Sequence, residues 1–327
     1  MKIFVTGGSG FVGGYLIPRL VEKGYEVVAI ARSEESLQKV KAAGASGVQG
    51  DITDFESLDR ALTGCDMVVH LAAAFEMWGE ESYFYRMNVG GTETLLKAAQ
   101  KHNIQRFVYV SAASIIANGT PAHMVDETYQ PDTLPDEPYS RTKWAAEAKV
   151  LAANSPAMTT LALRPPLIWG HGHSMTNVMR EAVAHGRWMW ISQGRHNLST
   201  IHVENLCAAI IASLRQGNGG EVYYVTDGET WSVRRFLTAW MQAEGVHLGA
   251  QSVPRWLAAF FAAFMARVWH TFRLQSMPPI TPSMVLMLGT ELSMTDAKAR
   301  KVLGYRNILS INEGLANMRA TLPSPEA

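Results

Sequence analysis

The hydrophobic and polar positions of the first 165 residues alternate between short apolar runs and longer amphipathic stretches. Strand-like runs rich in Val, Ile, Phe, Leu and Ala lie at 2–6, 26–31, 47–49, 67–71, 106–110 and 160–163. Apolar residues at helical spacing follow the first run, at Tyr15, Leu16, Leu20 and Val21. Strands that alternate with helices in this way predict an α/β fold, a Rossmann-type doubly wound parallel sheet over residues 1–165.

The second half of the chain, 166–327, predicts a smaller, mainly helical part that binds substrate, with about 195–225 returning to the sheet. One segment, Pro254 to Phe272, is helical in composition and apolar all round between Arg255 and Arg267. Its 11 consecutive apolar residues are too few to span a bilayer. The apolar surface of such a helix must be shielded from water. The sequence leaves four possibilities open for what shields it: the protein core, a hydrophobic substrate, a partner subunit or the membrane interface.

Composition narrows the class of protein. The 327 residues are 47% hydrophobic, and 29 basic residues balance 29 acidic residues. A chain with no net charge has no global field for nucleic acid, so we expect no nucleic-acid partner. Cys65 and Cys207 lie far apart among apolar residues and predict reduced core thiols in a cytoplasmic protein. The apolar run after Lys2 is too short for a signal peptide.

A glycine-rich turn follows the first predicted strand. Gly7, Gly10 and Gly13 have the spacing Gly-x-x-Gly-x-x-Gly between a strand and a helix. This pattern permits a tight turn, close approach of the backbone to a pyrophosphate, and close packing of helix on strand. The turn therefore predicts a dinucleotide site.

The end of the second strand indicates which dinucleotide binds. A dinucleotide fold usually places an acidic residue there to hold the ribose 2′-hydroxyl, but this chain has Ala31, Arg32 and Ser33. An arginine without an acidic neighbour suits a 2′-phosphate, so we expect NADP, with NAD as the alternative. Asp51, after the third strand, is placed to hold the adenine amino group.

Tyr139 and Lys143 are candidates for acid–base chemistry. Residues four apart on a helix lie on one face, so the ammonium can approach the phenol and favour its ionised form. Ser111 and Ser114 follow the fifth strand, at the sheet edge where ligands bind in open α/β folds. A hydroxyl there can hydrogen-bond a substrate oxygen while charge develops on it.

These motifs, in this order, resemble the extended short-chain dehydrogenase/reductase superfamily. The similar segments are Thr6 to Gly13, His70 to Ala73, Asn88 to Thr92, Ser111 to Ser114, Tyr139 to Lys143, Arg164 to Gly170, Ile201 to Ala208, Asp296 to Tyr305 and Glu313 to Leu315. The resemblance implies that Tyr139 donates or accepts the proton, and that Lys143 lowers its pKa and holds the nicotinamide ribose. Together with the motifs it implies cofactor contacts at Gly7, Ser9, Gly10, Phe11, Val12, Gly13, Arg32, Asp51, Ile52, Leu71, Ala72, Ala73, Asn88, Tyr139, Lys143, Pro165, Leu167 and Ile168.

One position departs from the family pattern. The catalytic Ser or Thr usually stands at the place of Ala112, so Ser114 or Ser111 must supply the hydroxyl. We expect Ser114, since Ser111 should be tied up at the strand end. His70 is expected to be a packed core residue, and the pair His171 and His173 are expected to be loop histidines and not metal ligands.

The substrate class follows from a second departure. Sugar-nucleotide epimerases and dehydratases of the superfamily usually carry a phosphate-binding Arg where this chain has Ser199, Thr200 and Ile201. This loss, the apolar helix and the Pro-rich break from Met277 to Pro282 are similar to the 3β-hydroxysteroid dehydrogenase branch, which includes sterol-4α-carboxylate 3-dehydrogenases and 2-alkyl-3-ketoalkanoate reductases. The resemblance implies an NADP-dependent oxidoreductase that interconverts a ketone and a secondary alcohol on a small hydrophobic substrate, steroid-like or long-chain.

Two other functions stay open from the sequence. One is a sugar-nucleotide epimerase or dehydratase with tightly bound NAD, and the other is a non-catalytic dinucleotide-binding sensor, suggested by Ala112. A homodimer is expected from the superfamily. Peripheral contact with a membrane through the helix from Trp256 to Trp269 is a further expectation.

Overall fold

The computed structural model describes residues 1–76, 78–272, 274 and 276–321. The strands are β1 Lys2–Thr6, β2 Glu26–Ala31, β3 Ser46–Gln49, β4 Met67–His70, β5 Arg106–Val110, β6 Ala122–Val125, β7 Thr159–Arg164, β8 Leu167–Trp169, β9 Trp190–Ile191, β10 Asn197–His202, β11 Glu221–Tyr224, β12 Thr230–Ser232, β13 Ser252–Val253 and β14 Leu292–Met294. The α-helices are α1 Phe11–Glu22, α2 Glu34–Ala42, α3 Phe55–Ala61, α4 Glu81–Phe84, α5 Gly91–Lys101, α6 Pro138–Ala152, α7 Ser174–Ala184, α8 Val203–Ser213, α9 Val233–Ala243, α10 Arg255–Thr271, α11 Pro282–Gly289, α12 Ala297–Val302 and α13 Ile311–Ala320. Other helical turns are π at Tyr85–Gly90 and 3₁₀ at Ala113–Ile116 and Ser192–Gly194.

The main sheet has seven strands in the order β11-β7-β5-β4-β1-β2-β3, and every pairing is parallel. The six strands predicted from apolar runs are all present, with ends that shift by one residue at most. Strand order reverses between β1 and β4, which leaves a crevice at their carboxyl ends. The predicted Rossmann-type doubly wound sheet is confirmed.

Both faces of the sheet are covered by helices. On one face α1 and α8 bury residues such as Leu16, Ile17 and Ile210, and on the other α5 and α6 bury Leu95 and Val150. The strands between them are apolar on both sides, which is why they read as continuous hydrophobic runs in the sequence.

The smaller part of the chain packs around an aromatic core. Trp169, Phe236 and Trp240 are fully buried, and Trp169 contacts both of the others edge to face. Beside them, short strands form a second sheet in the order β12-β10-β14-β6, with β8 paired to β10. Strand β11 belongs to the main sheet, and it lies within 195–225, the segment expected to return to that sheet. The domain boundary at residue 165 stays a prediction. The expected second part runs to residue 327, and 322–327 lie outside the described residues.

The apolar helix predicted near residues 254–272 is α10, and most of it is not covered by the core. Ala258 and Ala262 are buried against α11 and its neighbours. Trp256, Phe260 and Phe264 are instead 70%, 62% and 56% exposed. None of the helices described here is long and apolar enough to cross a membrane. Of the four possibilities, the protein core therefore shields only the side of α10 that carries Ala258 and Ala262.

Candidate active site

The glycine turn is built as the sequence predicted. Gly7 has a φ of +70°, and a Cβ there would lie 2.8 Å from the backbone N of Ala72. A Cβ on Gly13 would overlap the carbonyl oxygen of Gly7. Gly10 caps α1 without a side chain, so the first N–H groups of α1 keep no side-chain partner. An oriented, uncapped helix N-terminus suits a pyrophosphate.

Phe11 and Val12, in the first turn of α1, are partly buried at the edge of this turn. The Phe11 ring contacts His173 edge to face, with centroids 4.8 Å apart. Gly170 also approaches Phe11, since a Cβ on Gly170 would lie 3.5 Å from the ring. The glycine turn and the 170–173 loop of the smaller part therefore border the same crevice.

Arg32 is exposed at the end of β2, where the sequence placed it. In the part of the chain that the structure describes, it forms no ion pair. Ser33 caps α2, because its hydroxyl accepts from the N–H of Ser36 at 3.2 Å. The cation is thus free to meet a ligand, while its serine neighbour is occupied.

Asp51 and Ile52 lie at the end of β3. Asp51 Oδ1 accepts from the backbone N and hydroxyl of Thr53, both at 2.8 Å, which leaves Oδ2 without a hydrogen bond among the described residues. Ile52 is buried and packs where Gly91 has no side chain, since a Cβ there would lie 2.7 Å from its Cδ1. Ile52 therefore shapes this end of the crevice through packing.

The loop Leu71–Ala73 is fixed from both sides. Leu71 N donates to Thr6 O at 3.3 Å, and Ala72 N donates to Thr6 Oγ1 at 3.1 Å. Asn88, expected to contact the cofactor, is 2% exposed and uses both amide hydrogens, on Ala74 O and Thr142 Oγ1. Its side chain ties this loop to α6, a positioning role that spacing alone did not show.

His70 is a packed core residue, as predicted. Its two ring nitrogens lie 2.7 Å from Thr6 Oγ1 and 2.9 Å from Thr92 Oγ1. Burial, and to a lesser degree the charge of Lys143, lower the pKa of His70 to about 3. The ring is therefore neutral at physiological pH.

Helix α6 begins immediately before the candidate Tyr. Glu137 caps the helix by accepting from Tyr139 N at 3.0 Å and Ser140 N at 2.7 Å, and Pro138 occupies the first helical position. This start sets Tyr139 in the first turn and Lys143 one turn later, on the same face. Phe75 meets the Tyr139 ring edge to face at 5.0 Å.

The electrostatics of this pair differ from the sequence expectation. Burial lowers the pKa of Lys143 to about 7, and the charge of Glu147 acts in the opposite direction. The ammonium donates to Val110 O at 2.7 Å and lies 4.1 Å from the centre of the Tyr109 ring. Burial, with the charge of Glu137, raises the pKa of Tyr139 above its usual value. Both of these causes act against the lowering expected from Lys143, and the role of Lys143 in tuning Tyr139 stays a prediction.

The serines at the end of β5 have different surroundings from those expected. Ser111 is buried and its N–H donates to Leu163 O at 2.8 Å, but its hydroxyl has no hydrogen-bond partner among the described residues. Ser114 Oγ accepts instead from Ser140 Oγ at 3.0 Å. The expectation that Ser111 is tied up holds for its backbone and is wrong for its side chain. Tyr139 packs against the cluster that contains Ala112.

A buried ion pair that the sequence reasoning missed extends this face of α6. Glu147 is 2% exposed and accepts from Arg164 Nε at 3.0 and 3.2 Å and from Arg164 Nη2 at 2.5 Å. Glu147 lies four residues after Lys143, and that spacing was the available signal. The pair links α6 to β7, so it fixes the helix that carries Lys143.

Pro165, Leu167 and Ile168 follow β7 at the other side of the crevice. Pro165 O accepts from Ala113 N at 2.8 Å. Leu167 and Ile168 lie in β8 and pair with Thr200 and Ile201 of β10. One edge of β8 is therefore engaged in the second sheet, and the cofactor contacts expected at these three residues stay a prediction.

The remaining histidines of the sequence analysis have structural contacts. His173 Nδ1 accepts from Met175 N at 3.1 Å and caps α7, and His171 O accepts from the Tyr15 hydroxyl at 3.0 Å. Within the described residues no group of three or more His, Cys, Asp and Glu side chains is arranged for a metal ion. Cys65 and Cys207 are free buried thiols, and burial raises their pKa values to about 11 and about 12.

A cavity of about 590 Å³ opens between the start of α6 and α10. Pro138 and Arg141 line it on the α6 side, and Ala259, Ala262 and Ala263 line it on the α10 side. Trp78 and Arg255, which the sequence reasoning did not associate with the site, also border it. The cavity therefore lies between the first turn of α6 and the alanine side of α10, and Tyr139 is not among the described residues that line it.

Comparisons with known proteins agree with this geometry. Residues 4–255 match the model of the 3-beta hydroxysteroid dehydrogenase/isomerase family. The chain is 37% identical to a 4-hydroxy-2-methyl-3-oxo-4-farnesyl-3,4-dihydroquinoline-1-oxide ketoreductase from Stigmatella aurantiaca, over 99% of this chain and 97% of the relative. It is 32% identical to a 2-alkyl-3-oxoalkanoate reductase from Stenotrophomonas maltophilia, over 98% and 99%. It is 30% identical to a decarboxylating sterol-4-alpha-carboxylate 3-dehydrogenase from Dictyostelium discoideum, over 96% and 98%.

Solved structures share the fold at lower identity. A UDP-glucose 4-epimerase from Thermotoga maritima with UDP-glucose superposes with a TM-score of 0.75 at 20% identity, over 98% of both chains. A dTDP-glucose 4,6-dehydratase from Streptomyces venezuelae with NAD superposes with a TM-score of 0.75 at 23% identity, over 98% of this chain and 96% of the other. At this identity the likeness establishes the fold alone.

Proposed function

The chain belongs to the 3-beta hydroxysteroid dehydrogenase/isomerase family, and we propose that it is a ketoreductase or secondary-alcohol dehydrogenase for a hydrophobic substrate, with Tyr139 as its acid–base residue. In general terms, the chain is a nicotinamide-dependent dehydrogenase or reductase that acts on hydroxyl and keto groups. The observation that carries this proposal is that the glycine turn after β1, together with Ser111 and the Lys143 ammonium at the end of β5, lies at the carboxyl ends of strands in one parallel sheet, where ligands bind in open α/β folds.

The residues of this chain fit a dinucleotide. The uncapped N-terminus of α1, the close approach of Gly7 to Ala72 and the unpartnered hydroxyl of Ser111 leave donors and space along the crevice. Gly7, Ser9, Gly10, Phe11, Val12 and Gly13 would border the pyrophosphate, and Asp51 the adenine. When bound, the nicotinamide supplies or accepts the hydride.

Proton transfer to and from the substrate oxygen is assigned to Tyr139 of α6. Tyr139 would donate its phenolic proton to the substrate oxygen during reduction and take it back during oxidation. Lys143 would hold the nicotinamide ribose, and its charge would stabilise the phenolate that remains. Ser111 or Ser114 would hydrogen-bond the same substrate oxygen. The Ser111 hydroxyl has no hydrogen-bond partner among the described residues, and the Ser114 hydroxyl accepts from Ser140 Oγ. Both serines stay candidates for the contact with the substrate oxygen.

The sugar-nucleotide alternative is less well supported. Where those enzymes usually carry a phosphate-binding Arg, Ser199 and Thr200 are each 1% exposed. Ser199 Oγ accepts from Met294 N at 3.0 Å, and Thr200 Oγ1 donates to Asp227 at 2.8 Å. These side chains are therefore engaged inside the protein. The curated relatives named above are a ketoreductase, a reductase and a dehydrogenase, and none of them is named for a sugar nucleotide.

Replacing the phenol tests the proposal. Purified Tyr139→Phe should reduce a long-chain 3-oxo ester or a 3-keto steroid with NADPH about 10²- to 10⁴-fold more slowly than the wild type. Cofactor affinity, measured by fluorescence titration, should change little. Tyr129→Phe is the matched control, since Tyr129 packs in the same cluster as Tyr139. Full activity of Tyr139→Phe would overturn the acid–base assignment.

We propose NADP as the cofactor because Arg32 is exposed at the strand end that receives the adenosine ribose and has no acidic neighbour. Arg32→Gln should lower the ratio of kcat/KM for NADPH over NADH about 10- to 100-fold, which is the loss of a charge-assisted hydrogen bond. Arg60→Gln, another exposed arginine, should leave the ratio unchanged. A wild-type preference for NADH would identify NAD as the cofactor.

We also propose that the aromatic face of α10 lies on an anionic membrane. Trp256, Phe260 and Phe264 recur every four residues on one side, and the helix contains no Asp or Glu. Arg267 and His270 are exposed in its last turns. A basic helix with exposed aromatics favours an anionic bilayer surface. Ala262 and Ala266 of the same helix line the cavity, so α10 borders both the proposed membrane surface and the cavity.

Vesicle binding tests this contact. The wild type should sediment with vesicles that contain anionic phospholipid, and the triple variant Trp256→Ser, Phe260→Ser, Phe264→Ser should not. Leu134→Ser with Met189→Ser, which removes exposed apolar side chains elsewhere, is the control. If the triple variant instead converts a dimer to a monomer in light scattering, the face belongs to a second copy. Homodimerisation otherwise stays a prediction.

A further inference from the structure

The Lys143 ammonium is buried without a carboxylate partner of its own. Lys143 is 2% exposed, and it forms no ion pair with any of the described residues. An ammonium has three N–H donors, and the described residues give one of them an acceptor, Val110 O at 2.7 Å. Burial removes the water that would otherwise satisfy the other two donors. Further stabilisation of the charge has to come from groups other than a paired carboxylate.

The titratable groups around this ammonium are uncharged or already paired. On β4, His70 is neutral because burial lowers its pKa to about 3. On α6, burial raises the pKa of Tyr139, and Glu147 accepts three hydrogen bonds from Arg164. On β5, burial raises the pKa of Tyr109 well above its usual value, so its phenol keeps its proton. The charge of Glu147 favours the ammonium but is shared with Arg164, and none of these neighbours is an unpaired anion.

The aromatic ring of Tyr109 is the electron-rich surface that remains. Lys143 Nζ lies 4.1 Å from the centre of this ring, within the range of a cation–π contact. Tyr109 is fully buried, so water does not screen the attraction. The Tyr109 hydroxyl has no hydrogen-bond partner among the described residues, so the contact depends on the ring and not on the oxygen. The His70 ring, 5.3 Å away, packs against Tyr109 and helps to hold it in place.

We propose that Tyr109 is a positioning residue, whose ring keeps the Lys143 ammonium charged and in place one helical turn after Tyr139. The inference rests on the proposed function, in which charged Lys143 holds the nicotinamide ribose and stabilises the Tyr139 phenolate. Tyr109 transfers no proton itself. Its ring favours the protonated form of Lys143, which burial disfavours.

Fluorination of the ring tests this contact with little change of shape. Tyr109→Phe and its mono-, di- and trifluorinated forms withdraw electron density from the ring face step by step. In protein made with isotopically labelled lysine, the NMR resonance that disappears in Lys143→Met reports the charge of Lys143. Tyr109→Phe should leave the pKa of Lys143 within about 0.3 pH units of the wild type, and the trifluorinated ring should lower it by about 1 pH unit.

The matched control is the trifluorinated form of Phe107. Phe107 is fully buried two residues earlier on β5 and belongs to the same hydrophobic cluster as Tyr109. Fluorination there should leave the pKa of Lys143 unchanged. A pKa that is constant along the Tyr109 series, or that falls equally when Phe107 is fluorinated, would overturn the proposed contact.

The pH profile of the reaction tests the positioning role. Reduction of a long-chain 3-oxo ester with NADPH should lose kcat as pH rises through the pKa of Lys143, while Tyr139 ionises only at higher pH. The midpoint of this fall should move down by about 1 pH unit in the trifluorinated Tyr109 variant and stay in place in Tyr109→Phe. An unmoved midpoint together with a lowered pKa would overturn the positioning role. If the wild type reduces no ketone while the pKa falls along the series, the contact stands and the proposed function fails.

Discussion

Helices α6 and α10 both border the cavity, and α6 buries charged side chains whereas α10 exposes aromatic ones. Lys143 and Glu147 are each 2% exposed, whereas Trp256 of α10 is 70% exposed. The ionic side chains of α6 have partners within the protein, Val110 O for Lys143 and Arg164 for Glu147. Within the described part of the chain, Trp256, Phe260 and Phe264 of α10 stay 70%, 62% and 56% exposed.

This reversal shows that hydropathy alone did not decide burial at the site. A charged group can be buried where a second charge and backbone carbonyls compensate for lost hydration. An apolar side chain stays exposed where another molecule is available to cover it. Both helices break the usual pattern where ligands are expected, which is typical of functional regions.

The largest effect should come from breaking the buried pair of α6. Glu147→Gln leaves the Arg164 charge buried without a counter-charge, and should lower the free energy of unfolding by about 3 to 5 kcal/mol. Urea denaturation measures it. The control is Glu93→Gln, which removes the exposed pair with Lys149 and should cause no measurable change. Equal effects at the two sites would mean that the Glu147–Arg164 pair is solvated.

The buried side of α10 gives the next largest effect. Ala258 is 2% exposed and packs in a cluster with Ile191 and Val285. Ala258→Leu overfills that cluster and should lower the free energy of unfolding by about 1 to 3 kcal/mol. The same urea titration checks it, and an unchanged stability would show that α10 is loosely attached.

The pH dependence of stability should show the buried ammonium. Lys143 loses its proton at about pH 7 in the folded protein but at about pH 10.4 in the unfolded chain. Between these values the unfolded chain binds more protons, so the free energy of unfolding rises with pH, by at most about 1.4 kcal/mol per unit from this group. Cys65 and Cys207, whose pKa values are raised by burial, oppose the rise above about pH 8.5 because they ionise first in the unfolded chain.

Urea titrations at about pH 7 and about pH 7.8 measure this slope below the pKa of the unfolded thiols. Lys143→Met should have a smaller slope than the wild type, because the variant carries no proton at this position in either state. Equal slopes in the two proteins would show that Lys143 stays charged in the folded state.

The smallest effect is expected on the exposed side of α10. Phe260 is 62% exposed, so Phe260→Ser should change the free energy of unfolding by no more than about 0.5 kcal/mol. A loss of unfolding free energy as large as that of Ala258→Leu would mean that the aromatic face of α10 is covered in solution. Helix α10 would then be buried on both sides.

Much of the framework could be predicted because its signals are local. The strands of the main sheet, the glycine turn and the helix that carries Tyr139 and Lys143 each follow from residues within a few positions of one another. The short strands of the second sheet were missed, since β8 and β14 are three residues long and are defined by partners far along the chain.

The contacts that complete the site were the least predictable. Asn88 holds Ala74 and Thr142 in addition to the cofactor contact that stays a prediction for it, and Arg255 meets Gly119, 136 residues earlier in the chain. The raised pKa of Tyr139 could not be read from its spacing to Lys143, because burial is a property of the folded site.

By itself, the sequence determined six of the seven strands of the main sheet, the glycine turn and the one-turn spacing of Tyr139 and Lys143. These depend on backbone conformation and periodicity, which act over short distances. Only the tertiary structure decided that Lys143 and Glu147 are buried, that the Ser111 hydroxyl has no hydrogen-bond partner among the described residues, and that the aromatic face of α10 is exposed. Burial and charge compensation depend on segments brought together from distant parts of the chain, so no local pattern encodes them.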